Sequence, residues 1–501
     1  MADDHRRETS SASAAMLTGA TSEANLGIAP GRHKWLVLSA VSVGTFMATL
    51  DGSIVNISLP KIQSAFGVSL ASIEWVVVAY LLTVGTLLLP FGRFGDIIGY
   101  KWVYIAGFVL FTFASALCGA SQSVWMLTGF RVFQAVGAAM LQAMGPAIVT
   151  RTFGSRERGK ALGLNSVSVS IGLSIGPAIG GILTQYGSWR WIFYINVPVG
   201  IFATFWAWRV LANERRGSAQ FDPLGAVLSF ASLFALLLAL IQGQSWGWSS
   251  PAVLGLFAFF ALGAGAFITA ELRSRHPMLE LRLFAIRAFS AGNVSVLVIF
   301  AGLFTATFLM PFFLENGQGF SPLRAGLLLT PVPLATMVVA PFSGALSDRI
   351  GPRLPATLGA LVTVVGLFTL TELRVGVGYE PLIWRLAIIG VGQGLFNSPN
   401  SSAVLGSVPR LRLGTASATL AEMRIDGQVL GIAVGGAIVA SRLAGHVAAL
   451  TAANLPPAIV QRDGFVLSLH DAFYVAAAIC VVAIFSSLVR GRSTSAPEPS
   501  G

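Results

Sequence analysis

Apolar residues occur in long runs along most of the chain, and short polar segments separate them. A helix rises about 1.5 Å per residue, so about 20 apolar residues are needed to cross the hydrocarbon of a bilayer. Because the runs do not alternate polar with apolar positions, they predict spanning helices and not barrel strands. The fourteen predicted spans are residues 35–58, 72–92, 102–120, 126–149, 161–183, 192–211, 224–241, 251–271, 289–314, 325–347, 355–373, 382–404, 415–440 and 470–489.

The composition agrees with a membrane-embedded body. Hydrophobic residues make up 54% of the chain and charged residues 11%. A soluble domain carries about 25% charged residues, so most of this surface must face lipid. The sequence therefore predicts an all-α membrane protein that is embedded in the lipid bilayer.

The basic residues indicate how the chain is oriented. With the N-terminus inside, 23 of the 32 Lys and Arg residues fall on the inner side and 7 on the outer side, while Arg131 and Arg424 lie within spans. Cytoplasmic loops carry such an excess, so we expect a multi-pass protein of the cell membrane with both termini cytoplasmic. The net charge of +11 is accounted for in this way, and no nucleic-acid partner is expected.

Several other classes of protein are disfavoured. Cys118 and Cys480 both lie in apolar runs, which favours buried free thiols over a disulfide framework. All five histidines lie in tails, loops or at a span edge, so neither a metal site nor an enzyme is indicated. No GxxxxGK[ST] loop is present that would use ATP, and no cofactor is expected. Residues 1–33 and 491–501 are polar and predict disordered cytoplasmic tails.

Two sequence segments are repeated at nearly one offset. GRFGDIIGYK at 92–101 returns as GALSDRIGPR at 344–353, which is 252 residues later. GLSIGPAIGG at 172–181 returns as GQVLGIAVGG at 427–436, 255 residues later, with all four glycine positions kept.

A third match defines the domains. Arg131, inside its span, has a counterpart in Arg385, 254 residues later. The repeat predicts six-helix bundles over 34–211 and 289–490, with a linker over 212–288 that adds two helices. Two parallel repeats that move against each other around a midplane site are typical of secondary transporters.

These segments resemble the signature motifs of the major facilitator superfamily. From about residue 35 to residue 490 the chain is similar to the fourteen-span drug:proton antiporter branch of that superfamily. The resemblance implies a major facilitator fold with two six-helix pseudo-repeats and two extra central helices. It further implies proton-coupled multidrug efflux of small amphipathic or hydrophobic compounds by alternating access, carried out by a monomer. Export of a specific metabolite or lipid on the same scaffold is the alternative.

The repeated GRFGDIIGYK segment resembles a cytoplasmic loop motif of this family. Its glycines allow a tight turn, and its acid and base can form a latch that opens and closes. The family has basic residues where Ile97 and Tyr100 stand, which weakens the first copy, and a solvated loop is the alternative. The latch residues are Gly92, Asp96, Gly99 and Lys101, and then Gly344, Asp348, Arg349, Gly351 and Arg353.

The GLSIGPAIGG segment resembles the fifth-span motif of antiporters. Glycines at every fourth position form a flat face that a neighbouring helix can approach closely, and the proline can bend the helix. The resemblance implies antiport in preference to symport, and ordinary small-residue packing is the alternative. The motif residues are Gly172, Gly176, Pro177, Gly180 and Gly181.

Two charged residues within spans are candidates for proton coupling. Asp51, in LDGSIVNISLP at 50–60, is predicted to be an isolated carboxyl group in an apolar setting, which favours its neutral form. Arg131, in RVFQAVGAA at 131–139, keeps its proton but can act on a nearby acid. A structural hydrogen bond for Asp51 and structural pairing for Arg131 are the alternatives. In the second half of the repeat, the position equivalent to Asp51 is Gly302.

The substrate cavity is harder to assign from the sequence. Tyr80 lies deep enough to line a cavity or to pack, and Glu315 is placed either at the membrane interface or against the substrate. Glu422 and Asp426 lie one turn apart, where an internal ion pair with Arg424 is the alternative. The candidates for the cavity are Asn56, Tyr80, Gln134, Glu315 and Asp426.

Overall fold

The computed structural model of the chain is helical throughout the residues that it describes. The described residues are 33–153, 157–212, 223–274, 281–409 and 412–489. The predicted tails lie outside these residues, apart from residue 33. Fourteen long helical segments, numbered α1 to α14 in chain order, account for most of the described chain.

Three of the fourteen segments, α6, α9 and α10, consist of two pieces, and a short 3₁₀ helix, Leu281–Ala285, precedes α9. The segments are α1 His33–Phe66, α2 Leu70–Ile98, α3 Tyr100–Ala120, α4 Val124–Thr152, α5 Arg158–Tyr186, α6 Trp191–Tyr194 with Asn196–Val210, α7 Pro223–Trp246, α8 Pro251–Arg273, α9 Arg287–Phe312 with the π-helical turn Phe313–Gly317, α10 Pro322–Leu329 with Pro331–Ile350, α11 Arg353–Leu370, α12 Tyr379–Gly406, α13 Leu413–Ala452 and α14 Pro457–Val489.

Twelve of the described helices are long and apolar enough to cross a membrane. The other two predicted spans, 224–241 and 382–404, are helical as α7 and α12 but are not among the twelve. The apolar part of α7, Val227–Gly243, is short, and α12 contains Glu380 and Arg385 together with several amide and hydroxyl side chains. Twelve candidate spans are therefore supported, and a total of fourteen stays a prediction.

Local sequence explains where several helices begin and end. Serine side chains accept a hydrogen bond from a backbone N–H in the first turn of α2, α4, α8 and α10. These N–H groups have no acceptor within their own helix, so the serines cap the helices. Gly99 ends α2 with φ of 105° and Gly351 ends α10 with φ of 85°, a region that favours glycine. These two glycines are equivalent in the sequence repeat, so the two bundles turn in the same way.

The packing of the helices follows the repeat. In the first bundle, defined as α1 to α6, α1 packs on α5, α4 packs on α2 and α3, and α3 packs on α6. In the second bundle, α9 to α14, the corresponding pairs are α9 with α13, α12 with α10 and α11, and α11 with α14. The helices α7 and α8 pack on each other, and α7 also contacts α2 and α13.

The two bundles meet mainly through two seams, α5 against α10 and α2 against α13, with a smaller contact between α1 and α9. We call the end at which α1 passes into α2 the α1–α2 end, and the opposite one the α2–α3 end. At the α5/α10 seam the amide of Leu323 donates to the side-chain oxygen of Gln185 at 3.2 Å. Gly326 lies so close to the carbonyl of Pro177 that an added Cβ would be 2.1 Å from it. These contacts lie toward the α1–α2 end.

Close helix packing within the first bundle can be tested at Gly137 of α4. A Cβ at this position would lie 2.6 Å from the backbone nitrogen of Phe111 in α3, so Gly137→Ala forces two helices apart. We expect a loss of about 1–3 kcal/mol of stability and a lower Tm in detergent. Gly255→Ala in α8 is the matched control, because an added Cβ there meets nothing within 4 Å. Equal Tm values for the two variants would contradict this packing.

Candidate functional site

A buried ion pair joins α1 and α4. The guanidinium Nη1 of Arg131 lies 2.5 Å from Oδ2 of Asp51, and the two side chains are 1% and 0% exposed. Each of these residues stands in an apolar stretch of its helix, so neither charge would be tolerated there alone. The two residues proposed for proton coupling are therefore direct partners.

Neutral side chains complete the hydrogen bonding of Asp51. Its Oδ1 accepts from Nε2 of Gln134 at 2.8 Å and from Nδ2 of Asn196, in α6, at 2.9 Å. The same Nε2 donates to the hydroxyl of Ser115 in α3 at 2.7 Å, and the Oε1 of Gln134 accepts from Arg131 at 2.7 Å. Four helices of the first bundle thus converge on one carboxylate. We call Asp51, Ser115, Arg131, Gln134 and Asn196 the Asp51 cluster.

The helix α2 contributes an aromatic ring and a backbone oxygen to this cluster. The Cζ of Arg131 lies 3.8 Å from the centroid of the Tyr80 ring, a cation–π contact. The Nε of Arg131 donates to the carbonyl of Val76 at 3.2 Å. The Tyr80 hydroxyl is buried and has no hydrogen-bond partner among the described residues. Any movement of the Arg131 side chain therefore acts on α2.

The expectation of an isolated Asp51 was wrong. Two amide donors and a guanidinium face its two oxygens, an arrangement that suits an ionised carboxylate. Adding a proton to Asp51 would remove half of a buried ion pair and leave Arg131 charged without its partner. Because an unpaired buried charge is costly, protonation must be accompanied by water entry or by rearrangement. This arrangement can convert a proton-binding event into a movement.

The five cavity candidates do not all meet. Gln134 belongs to the Asp51 cluster, and Tyr80 contacts it through Arg131. Asn56 is buried in α1, and its Oδ1 has no hydrogen-bond partner among the described residues. Glu315 lies in the π-helical turn at the α1–α2 end. Asp426 of α13 lies at the α2/α13 seam, where its Oδ1 would be 4.0 Å from a Cβ added at Gly85 of α2.

The acids of α13 are not neutralised by their neighbouring arginine. Arg424 lies over the ring of Phe300, 5.1 Å from its centroid, and among the described residues it forms no ion pair with Glu422 or Asp426. Glu422 is buried, and its Oε2 has no hydrogen-bond partner among the described residues. The internal ion pair with Arg424, which was the alternative considered from the sequence, is therefore absent from the described chain.

The antiporter-like motif of α5 lies directly on α1. A Cβ at Gly172 would touch the backbone of Leu50, one at Gly176 would overlap Ser53, and one at Gly180 would overlap Ile54. These three glycines thus pack α5 on the stretch of α1 that carries Asp51.

The remaining motif residues, Pro177 and Gly181, contact Gly326 and Pro322 of α10 across the α5/α10 seam. One motif therefore connects the Asp51 helix with the second bundle. In the second copy of the motif, the equivalent glycines Gly427 and Gly431 pack against the backbone of α9.

The latch motifs are described only in part. Their glycines at positions 99 and 351 make the tight turns that the sequence predicts. The side chains of Asp96 and Asp348 lie outside what the structure describes, so the acid–base pairing stays a prediction. The other latch residues on the helices beside these turns are Gly92, Lys101, Gly344, Arg349 and Arg353.

Sequence reasoning missed Ser115 and Asn196 as members of the cluster. Asn196 belongs to the segment WRWIFYINVP at 189–198, where an amide in an apolar helix was the available signal. Ser115 gave no such signal, because a serine in a spanning helix commonly bonds its own backbone, as it also does here to Phe111.

Comparison with known proteins identifies the family. The family model described as Major Facilitator Superfamily matches residues 41–435, which is more than half of the chain. The chain belongs to the major facilitator superfamily. It is therefore a multi-pass membrane transporter of small molecules and not an enzyme.

Characterised and named relatives of this transporter differ in their cargo. It is 33% identical over 467 residues to the riboflavin transporter RibZ of Clostridioides difficile (strain 630), covering 92% of this chain and 99% of that one. It is 32% identical over 411 residues to the tetracenomycin C resistance and export protein of Streptomyces glaucescens, covering 82% and 76%. It is 32% identical over 409 residues to the multidrug transporter protein MdtP of Bacillus subtilis (strain 168), covering 81% and 75%.

A solved structure shares the fold of this transporter. It is the inward-facing, unoccupied crystal structure of a bacterial homologue of the human lysosomal transporter Spinster. The TM-score is 0.68 with 15% sequence identity, covering 92% of this chain and 98% of that chain. At this identity the likeness shows the fold alone.

The energetic coupling of Asp51 and Arg131 can be measured in a double-mutant cycle. Arg131→Met leaves the carboxylate buried without its cation, so we expect a loss of about 3–5 kcal/mol and a strongly lowered Tm. Adding Asp51→Asn should recover part of that loss, because the remaining amide needs no cation. The cycle compares thermal unfolding of the wild type, both single variants and the double variant. Additive effects would show that the two residues are not coupled.

Proposed function

We propose that this transporter is a proton-coupled antiporter that exports small amphipathic or hydrophobic compounds by alternating access. The observation that carries the proposal is the buried ion pair of Asp51 and Arg131. The antiporter-like glycines of α5 pack on α1, the helix that carries Asp51. The printed names of several relatives, which describe multidrug transport and tetracenomycin C export, support this cargo class.

The Asp51 cluster provides a physical route from proton to movement. When Asp51 is ionised it holds Arg131, which in turn holds α2 through Val76 and Tyr80. Protonation of Asp51 releases Arg131 and weakens this hold, and α2 is one of the two helices of the α2/α13 seam. Proton binding inside the first bundle would thereby change the equilibrium between the two orientations of the bundles.

We further propose fourteen spans, with α7 and α12 crossing the plasma membrane like the other helices and both termini cytoplasmic. The α2–α3 end is then the cytoplasmic one, where the latch motifs lie. Because the bundles touch toward the α1–α2 end, this proposed orientation would make the described state an inward-facing one. The bundles 34–211 and 289–490 would move as units about the linker 212–288.

The cargo would bind between the bundles. Asp426 faces α2 there, and its charge is not neutralised by Arg424. An acid at this position favours cationic amphipathic cargo. Tyr80, Asn56 and Glu315, which do not all meet in this state, stay candidate contacts. Asp51 is less suited to bind the cargo, because its oxygens are fully engaged inside the first bundle.

Export of one specific metabolite is the second candidate. The riboflavin transporter RibZ matches 92% of this chain, a larger share than MdtP or the tetracenomycin C exporter covers. A competition assay separates the candidates. Efflux that many unrelated hydrophobic cations inhibit supports the first candidate, and efflux that one compound class alone inhibits supports the second.

Replacing Asp51 should abolish coupling. In inverted vesicles with an imposed pH gradient, we expect Asp51→Asn to lose uphill transport of a hydrophobic dye cation, because no proton can be exchanged at that position. Asp51→Glu should retain partial activity with a shifted pH optimum. The matched control is Asp463→Asn, an acid that bonds only its neighbour Arg462 in the described chain and should transport normally. Uphill export by a well-expressed Asp51→Asn protein would refute the coupling role.

The orientation can be tested with single cysteines at exposed positions. Gln122→Cys and Ser249→Cys lie in turns at the α1–α2 end and should react with a membrane-impermeant maleimide from outside intact cells. Glu157→Cys, at the α2–α3 end, should react only after the membrane is permeabilised. The native cysteines at 118 and 480 are buried and give a low background. The opposite labelling pattern would reverse the topology.

A further inference from the structure

A buried acid lies in the α2/α13 seam and takes no part in the Asp51 cluster. Glu74, in the second turn of α2, is 1% exposed. Neither of its carboxyl oxygens has a hydrogen-bond partner among the described residues. The carboxyl group packs against Gly436 of α13, where an added Cβ would overlap both its Oε1 and its Cδ. The second bundle therefore covers this acid directly.

The equivalent position in the other seam is a glycine. Ser69 caps α2, and Ser321 caps α10 252 residues later. With the same offset, the repeat equivalent of Glu74 is Gly326. Gly326 would place a Cβ 3.5 Å from the Cα of Gly181, which is the repeat equivalent of Gly436. One seam thus pairs glycine with glycine, while the other pairs a carboxyl group with glycine.

No charged side chain in the described chain forms an ion pair with Glu74. On α4, Arg131 is held by Asp51, and on α1 the side chain of Lys61 is exposed.

The remaining neighbours of α2 place no charge beside the acid either. On α13 the nearest charged residues, Asp426 and Arg442, are roughly three and two helical turns from Gly436. α7, which contacts the seam through Phe234, carries no titratable residue, and α3 meets α2 at the Gly99 turn, at the opposite end.

An ionised carboxyl group without a partner is disfavoured in such a place, whereas a neutral one is tolerated. The closed seam therefore requires a proton on Glu74. When α2 and α13 separate, water reaches the carboxyl group and stabilises its ionised form. Proton binding at this position and closure of the seam are linked.

We propose that Glu74 is a second proton-binding site, separate from the Asp51 cluster, and that its proton permits closure of the α1–α2 end. This inference rests on the proposed alternating-access function. The proton is taken from and returned to the solvent at that same end, so Glu74 controls closure without moving a proton across the membrane. Because the closed state binds the additional proton, lower pH favours closure.

The test is a distance measurement on the full-length protein in liposomes. Spin labels at Ala65→Cys and Ala444→Cys, exposed on α1 and α13, report opening of the α1–α2 end by double electron–electron resonance. For the wild type we expect the open-to-closed ratio to rise by up to about tenfold per pH unit, as the linkage of one proton allows. Glu74→Gln should give the closed distance at every pH, and so should Glu74→Gly, which copies Gly326.

Glu372→Gln is the matched control, because Glu372 is an exposed acid at the same end and pairs with Arg385. It should titrate like the wild type. A wild-type distance that does not change with pH, or a Glu74→Gln protein that titrates like the wild type, would overturn the proposal.

Transport assays on the same proteins separate this proposal from the proposed function. Loss of efflux in Asp51→Asn with an unchanged pH response of the distance supports both. If the pH response of the distance is lost in Asp51→Asn and kept in Glu74→Gln, the Glu74 proposal is overturned and the proposed function is not. Efflux that no proton gradient drives, together with a Glu74-dependent distance response, overturns proton coupling and supports the Glu74 proposal.

Discussion

The buried pair of Asp51 and Arg131 is the constraint on which the first bundle depends. Lipid offers no water to either charge, so each side chain must find its partners within the protein. Arg131 bonds Asp51, Gln134 and the backbone of α2, and Asp51 in turn accepts from Asn196 of α6. Five helices are thereby positioned around one carboxylate.

Glycine faces determine how that cluster is connected to the rest of the molecule. The three spaced glycines of α5 bring its backbone onto α1 beside Asp51, while Pro177 and Gly181 of the same motif contact α10. The second copy repeats the first contact on α9. At the α2/α13 seam, however, Gly436, the last glycine of the second copy, meets Glu74 instead of a glycine. The repeat is symmetric in packing and asymmetric in charge, and this asymmetry is the basis of the proposed role of Glu74.

Much of the site was predictable from single residues. Charged residues within apolar runs identified Asp51 and Arg131, and the neighbouring amide Gln134 followed from the same motif. Their direct pairing was not predictable, because the two residues lie on different helices and sequence spacing does not give distances between helices. Glu74 was overlooked for the same reason. It lies near the start of its span, a place that normally faces water, and only α13 of the second bundle buries it.

The sequence by itself determined the twelve spans that the described helices support and the twofold repeat, and it predicted the orientation from charge. It could do so because hydrocarbon thickness, backbone hydrogen bonding and loop charge act on each segment separately. Only the tertiary structure decided which polar groups are satisfied. Asp51 gains three donors whereas Glu74 gains none among the described residues, although both are acids in apolar helices. Partners are contributed by other helices, and no local pattern encodes how those helices meet.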